Sequence, residues 1–207
     1  MNISARNRVD GVVGDMKKGK ATTNVQLRTD IGELTLVMTS SAVEALRLEP
    51  GDRATALFRE VDVMLMKGEG SISTKNRVRG RILDIKKGNV TAEIPLDVAA
   101  GRRIVAVIAR TAAEEMGLAV GDEVIACVRE GDLLLAKDGV LSIRNPVPGK
   151  ITGFRPGTVT TEITLETGSG ELHALLARST SDDMKLGIGQ QVKALLRERD
   201  FLIWSDA

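Results

Sequence analysis

Apolar and polar positions alternate along most of the chain with the period of two that a half-buried β-strand requires. Val25 and Leu27, Ile94 and Leu96, and Ile163 and Leu165 carry this alternation in three separate places. Gly19, Gly88 and Gly157 each sit between two such runs, which predicts a hairpin turn at each. The alternation breaks three times, at TSSAVEALRL, RTAAEEMGL and STSDDMKLGI, and each break predicts one short helix. Ser41-x-x-Glu44 and Thr111-x-x-Glu114 have the form of capping boxes, and Ser179-x-x-Asp182 has a looser one.

The pattern recurs because the sequence does. NRVDG at Asn7–Gly11 returns as NRVRG at Asn76–Gly80 and as NPVPG at Asn145–Gly149, 69 residues apart each time. Further on come LEPGDRATALFREVD, LAVGDEVIACVREGD and LGIGQQVKALLRERD, each ending Arg-Glu-x-Asp before an apolar VML, LLL or FLI. The chain therefore divides into three units, 1–68, 69–138 and 139–207, joined by the glycine-containing KGEGS and KDGVL. About five strands and one short helix per unit predict an all-β chain: three tandem five-stranded antiparallel β-barrels of the oligonucleotide/oligosaccharide-binding (OB) type. One unit alone is small for a stable core, and three that share apolar surface relieve the shortfall.

Composition narrows the function. The 29 basic and 28 acidic residues nearly cancel, which disfavours a nucleic-acid coat. Phe58, Phe154, Phe201 and Trp204 are the only aromatic residues, too few for a base-stacking platform. No apolar run is long enough to span a membrane, and MNISARNRVDG has no secretory h-region, so no membrane partner and a cytoplasmic location are expected. Cys127 aligns with Leu57 and Leu195 and is expected in the core, in a reducing compartment. His173 is the single histidine and reads as a polar strand residue, so no cation-binding site is expected. GDMKKGKA at Gly14–Ala21 nearly matches a phosphate-binding P-loop, but Ala21 stands where a Ser or Thr would hold Mg²⁺. Only Gly19 of that stretch recurs in the other units, so the reading is a hairpin.

ISARNRVDG followed by ALRLEPGDRATALFREVDVML resembles the Mop, or TOBE, domain of molbindins and molybdate-responsive regulators, and the likeness covers each whole unit. The resemblance implies that each unit is a Mop/TOBE barrel and that the ligand is molybdate or tungstate, with no organic cofactor. It also implies a homo-oligomer: six domains make the particle in that family, so a three-domain chain would form a dimer. The oxyanion contacts it implies come from the opening Ser and Arg, a hydroxyl by the short helix, and a basic residue on the next strand. In the first unit these fall on Ser4, Ala5, Arg6 and Asn7, on Thr39 and Ser41, and on Arg59. The second unit offers Ser73, Lys75, Asn76, Thr111 and Arg129, with Ala109 in place of the Thr and Lys in place of the Arg fork. The third offers Ser142, Arg144, Asn145, Ser179, Thr180 and Arg197, with Ala177 in place of the Thr.

These residue types suit the chemistry. A tetrahedral dianion carries acceptor oxygens and no donors, so it needs convergent hydroxyls, N–H groups and guanidinium forks, and no general base. Plainer readings of the same residues stand beside this one. Ser41, Thr111 and Ser179 also read as helix caps. The Arg-Glu pairs at 59–60, 129–130 and 197–198 also read as solvated charges on an edge strand. Asn7, Asn76 and Asn145 also read as turn formers. The leading expectation is non-catalytic oxyanion binding for storage or homeostasis, at interfaces between the barrels. The alternative is an oxyanion-sensing module that signals to a partner protein. An enzyme is disfavoured by the single His, the core Cys and the lack of a repeated acid pair.

Overall fold

Strand follows alternation nearly everywhere. The computed structural model describes residues 3–68, 70–143 and 145–200, so Arg144 and the apolar run from Phe201 onward lie outside the described residues. The first unit runs β1 (Asn7–Lys18), β2 (Thr22–Thr29), β3 (Gly32–Thr39), α1 (Ser40–Ala45), β4 (Arg53–Phe58) and β5 (Met64–Met66). The second runs β6 (Asn76–Ile82), β7 (Lys86–Lys87), β8 (Thr91–Val98), β9 (Arg102–Ala109), α2 (Arg110–Glu115), β10 (Glu123–Val128), β11 (Leu134–Lys137) and β12 (Val140–Leu141). The third runs β13 (Asn145–Pro156), β14 (Thr160–Thr167), β15 (Gly170–Ala177), α3 (Arg178–Asp183) and β16 (Gln191–Leu196).

The recurring glycines have a steric cause. Gly19, Gly88 and Gly157 each donate a backbone hydrogen bond of 2.8 Å to the carbonyl three residues on, at Thr22, Thr91 and Thr160. A Cβ at these positions would lie 2.8, 3.1 and 2.9 Å from those same carbonyl oxygens, so a side chain would push the hairpin open. The stretch that resembled a phosphate cradle is this hairpin. Gly11, Gly80 and Gly149 are crowded in the same way by the carbonyls of Arg28, Asp97 and Glu166.

The first two units are not separate barrels. The sheet of the first unit has the order β12-β11-β4-β1-β2-β3, so its outer strands come from the second unit. The second sheet has the order β5-β10-β6-β8-β7, with β9 also on β8, and takes β5 from the first unit. Leu135 lies opposite Ala56, and Leu65 lies opposite Ala126. Each unit thus surrenders its last strand and receives its neighbour's. In the first unit the expected five strands are reached only by this exchange, since β1–β4 alone make four.

Side chains lock the exchange in both directions. The Lys137 ammonium donates to Asp52 at 2.6 Å and to the Arg47 carbonyl at 2.9 Å. Its counterpart Lys67 donates to Asp122 at 2.7 Å and to the Gly117 carbonyl at 2.8 Å. Asn7 bonds both backbone groups of Val105, donating to its carbonyl at 2.9 Å and accepting its N–H at 2.8 Å. Asn76 does the same to Thr35. Both asparagines are 1% exposed, so they stitch two strands together rather than shape a turn. One continuous core results, in which Leu27, Leu36, Leu135, Ile94 and Leu96 all belong to a single cluster. Cys127 lies wholly inside, as its leucine counterparts suggested.

The third unit keeps a smaller sheet of order β15-β14-β13-β16. It docks on the others through Val159 and Ala177 against Val107, and through the polar groups described below. Among the described residues, no helix is long and apolar enough to cross a membrane.

One local expectation needs correction. Each helix starts earlier than the capping boxes required, with Thr39, Ala109 and Ala177 at the N-cap position. Thr39 accepts the Ala42 N–H at 3.2 Å, while Ser41 only donates to the Thr39 hydroxyl at 3.4 Å. The box fails because Ala42, not Glu44, occupies the third helical position.

Candidate functional site

Within one unit the opening Ser-x-Arg and the helix hydroxyl do not meet. β1 has 12 residues, and at roughly 3.3 Å per residue its two ends are well separated. Ser4 and Arg6 precede its first residue, Asn7, which pairs with Phe58 of β4. Thr39 pairs with Thr22, beside the far end of β1 where Lys18 pairs with Thr23. Any meeting between an opening Ser-x-Arg and a helix hydroxyl therefore happens between units.

One such meeting is present. The start of α3 in the third unit lies against the first and second units. Ser179 donates to the Glu93 carboxylate at 2.7 Å, and the Arg6 guanidinium stands 3.6 Å from the other oxygen of Glu93. Thr180 donates to the carboxylate of Glu60 in a short hydrogen bond. Glu60 is 2% exposed and Thr180 is 4% exposed. Three donors from two units thus converge on two carboxylates at a seam among all three. The equivalent hydroxyls Ser41 and Thr111 are exposed, as are Ser73 and Lys75.

Burial is the main influence on Glu60 and pushes its carboxyl above the ordinary range, against the opposing pull of the Thr180 hydrogen bond. A raised folded-state value means that Glu60 supports stability most below the ordinary carboxyl range. That support is lost as pH rises through the raised value. Glu60→Gln keeps an acceptor for Thr180 and removes the buried charge. Thermal melts from pH 4 to 8 are expected to show a higher midpoint for the variant at neutral pH and a flatter pH dependence. An unchanged slope would show that the carboxyl is not desolvated. The solvated-edge reading of the Arg-Glu pairs fails at Glu60, whose neighbour across the seam belongs to another unit.

The three strand-position arginines are engaged elsewhere. Arg59 donates to both oxygens of Asp62, at 2.9 and 2.7 Å. Arg129 donates to Asp132 at 2.6 Å, and Arg197 to Asp200 at 2.7 Å. Arg197 also reaches Asp62 at 3.5 Å and Asp132 at 3.3 Å, while Arg199 pairs with Asp132 at 2.9 Å. The repeated Arg-Glu-x-Asp segments of all three units are therefore tied into one ion network. Each of these three strand-position arginines, implied by the resemblance as an anion contact, already holds a carboxylate.

Of the remaining residues, Ser142 is buried and accepts the Leu135 N–H at 2.9 Å, closing the β11–β12 hairpin. Asn145 is half-buried at the start of β13, and Ala5 packs in a small cluster with Ile3, Leu57 and Ala136. Arg144 lies outside the described residues. His173 is an exposed residue of β15 near Thr164 and Glu162. Glu60 and Glu93 are the functional candidates that the sequence reading missed. The recurrence of Glu60 in Arg-Glu-x-Asp was the available signal for one of them, and Glu93 carried none.

Comparison with known proteins places these features in a family. The TOBE domain model matches three segments, residues 3–65, 72–134 and 141–197. The molybdenum transport protein ModE of Azotobacter vinelandii is 30% identical over 141 residues, covering 67% of this chain and 52% of ModE. The molybdenum-pterin-binding protein MopB of Rhodobacter capsulatus is 30% identical over 135 residues, covering 63% of this chain and 50% of MopB. The chain thus spans about half the length of these two relatives. Molybdenum-pterin-binding protein 2 of Clostridium pasteurianum is 38% identical over 65 residues, 96% of its own length and 31% of this chain. Among solved structures, the cytoplasmic molybdate-binding protein ModG with molybdate bound superposes with a TM-score of 0.64 at 28% identity. That match covers 66% of this chain and 99% of ModG.

Proposed function

The chain belongs to the TOBE-domain family, and from that premise we propose that it binds molybdate or tungstate without catalysis, as a cytoplasmic store or buffer of the oxyanion. Residues 1–68, 69–138 and 139–207 are its three sequence domains, and two chains bring six of them together. The observation that carries the reading is the seam where Arg6, Ser179 and Thr180 converge on carboxylate oxygens. A set of donors that holds carboxylates offers the same groups that a tetrahedral dianion needs, with no base and no nucleophile among them. Similarity to proteins named for molybdenum transport and molybdate binding supports the choice of ligand. The nearly balanced charge supports a role without nucleic acid or membrane.

For the oxyanion to take these donors, Glu93 must turn aside. Protonation of Glu60 would turn an acceptor into a further donor, so binding at this seam is stronger at lower pH. Calorimetry on the oxyanion-free chain with molybdate, tungstate and sulfate tests the reading. Micromolar binding of molybdate or tungstate, with weak or no binding of sulfate, is the expected result. Arg6→Ala should weaken binding about 10- to 100-fold, the equivalent of the roughly 1.5–3 kcal/mol carried by a hydrogen bond to a charged group. A chain that takes up neither oxyanion at micromolar concentration overturns the proposal.

A further inference from the structure

We propose that a groove on the outer face of the second unit binds an organic phosphate of mononucleotide size. It shares no residue with the seam that holds Arg6, Ser179 and Thr180. Asn76, Val78 and Ile82 of β6 are buried, so Arg77, Arg79 and Arg81 all stand on the opposite, exposed face of the strand. Their positions follow one another at intervals of about 6.6–6.8 Å. They line a cavity of about 710 Å³, a size typical of small-molecule sites.

Charge is spread unevenly along this groove. Arg81 lies between Asp97 of β8 and Glu123 of β10, its register partners on either side, and reaches Glu123 at 3.5 Å. Arg79 lies opposite Ile125, and β8 ends before reaching it, so neither neighbouring strand brings it a carboxylate. Among the described residues it has no hydrogen bond and no ion pair. Arg77 donates to the carbonyls of Ile72 and Thr74 at 2.7 and 3.1 Å. These neutral acceptors fix its guanidinium and leave its charge uncompensated.

The other two units act as controls. The first has a groove of about 640 Å³ at the same place, where Asp10 replaces Arg79, Val12 replaces Arg81 and Arg53 replaces Glu123. Asp10 is satisfied there, accepting the Thr55 hydroxyl at 2.7 Å. The third unit has Pro146, Pro148 and Lys150 in place of the three arginines. The fold therefore does not require this row of like charges, which repel one another, and only the second unit carries it. The layout selects the ligand. Two uncompensated guanidiniums match the charge of a phosphate monoester, and their forks suit its oxygens. Met66, Ile125 and Arg79 form one row across β5, β10 and β6, so a flat ring held at Arg79 rests on a thioether and a branched aliphatic chain. Asp97 and Glu123 at the far end accept from hydroxyl or amino groups.

Titration of the full chain, free of molybdate and tungstate, with adenosine monophosphate tests this by calorimetry and amide NMR. The expected dissociation constant is below about 1 mM. Shifts should centre on Arg77–Arg81 and Ile125 and spare Asp10–Val12. Inorganic phosphate and adenosine should each bind at least about tenfold more weakly, because each lacks one of the two anchors. Arg79→Asp, which installs the first unit's residue at an exposed position, should keep the parent's circular dichroism and weaken binding about 10- to 100-fold. No binding below about 1 mM, an unchanged affinity in Arg79→Asp, or equal affinity for inorganic phosphate overturns the proposal. Tighter binding of an oligothymidylate than of adenosine monophosphate also overturns it, in favour of a nucleic-acid strand. Molybdate uptake should survive Arg79→Asp. Its absence from the parent chain sinks the proposed function alone, and failure of the nucleotide titration sinks this inference alone.

Discussion

Leu135→Ala is expected to destabilise the chain by about 3–5 kcal/mol, and to damage the first unit although the residue belongs to the second. Leu135 is fully buried and lies opposite Ala56 in the exchanged pair. Truncation of a buried Leu removes its transfer free energy and leaves a cavity that the surroundings only partly fill, which accounts for the magnitude. The location of the damage is the more telling result. Amide exchange should accelerate in β4, from Arg53 to Phe58, as well as in β11 itself. Because the two units share one core cluster, they should also unfold in a single transition. Loss of protection confined to residues 69–138, or two separated transitions for the first two units, would mean that each barrel folds on its own strands.

Asp132→Ala is the second large expected effect, at about 2–4 kcal/mol. Asp132 is 1% exposed and receives Arg129, Arg197 and Arg199, one from its own unit and two from the third. Removing the buried carboxylate takes one counter-charge from three clustered guanidiniums and leaves Arg197 with Asp200 and the longer contact to Asp62, and that penalty exceeds what the pair contributes when intact. Arg129 and Arg199 are open enough to be screened by water, so most of the cost falls on Arg197, whose side chain is 12% exposed. Urea denaturation measures the loss. Combining Asp132→Ala with Arg197→Met should recover part of it, since the second change removes the stranded charge. An additive double variant would show that Arg197 does not depend on Asp132.

The repeats made much of the fold legible. A period of two, three copies of one glycine spacing and a Cys in a leucine position were enough to place strands, hairpins and core. The strand exchange was not legible. VML and LLL carry the same apolar pattern whether they fold back on their own unit or cross to the next, because the two partners β4 and β10 are themselves repeats. The helix starts were misjudged because hydroxyls at both Thr39 and Ser41 satisfy a cap pattern, and only the backbone decides between them. The candidate site was legible in part. Arg6, Ser179 and Thr180 follow from the resemblance, which also places sites between barrels, but the pattern does not say which residues of which units meet. Glu60 reads as a surface charge in the sequence because its burial comes from other units: the Glu60–Asp62 turn packs on β9 of the second and Thr180 of the third bonds it. The arginines at 59, 129 and 197 stand in a repeated Arg-Glu-x-Asp, but the pattern alone does not say that each aspartate takes up its arginine's charge.

The exchanged strands also bear on how the chain is made. Residues 7–58 leave the ribosome early, yet the sheet they form is finished by Leu134–Lys137, far later in synthesis. Long-range pairing of this kind forms late and slowly, since the loop between partners must close before the contact rewards it. The nascent first barrel therefore waits with the edge of β4 uncovered until the second has been translated, and the first 137 residues mature together as a single folding unit.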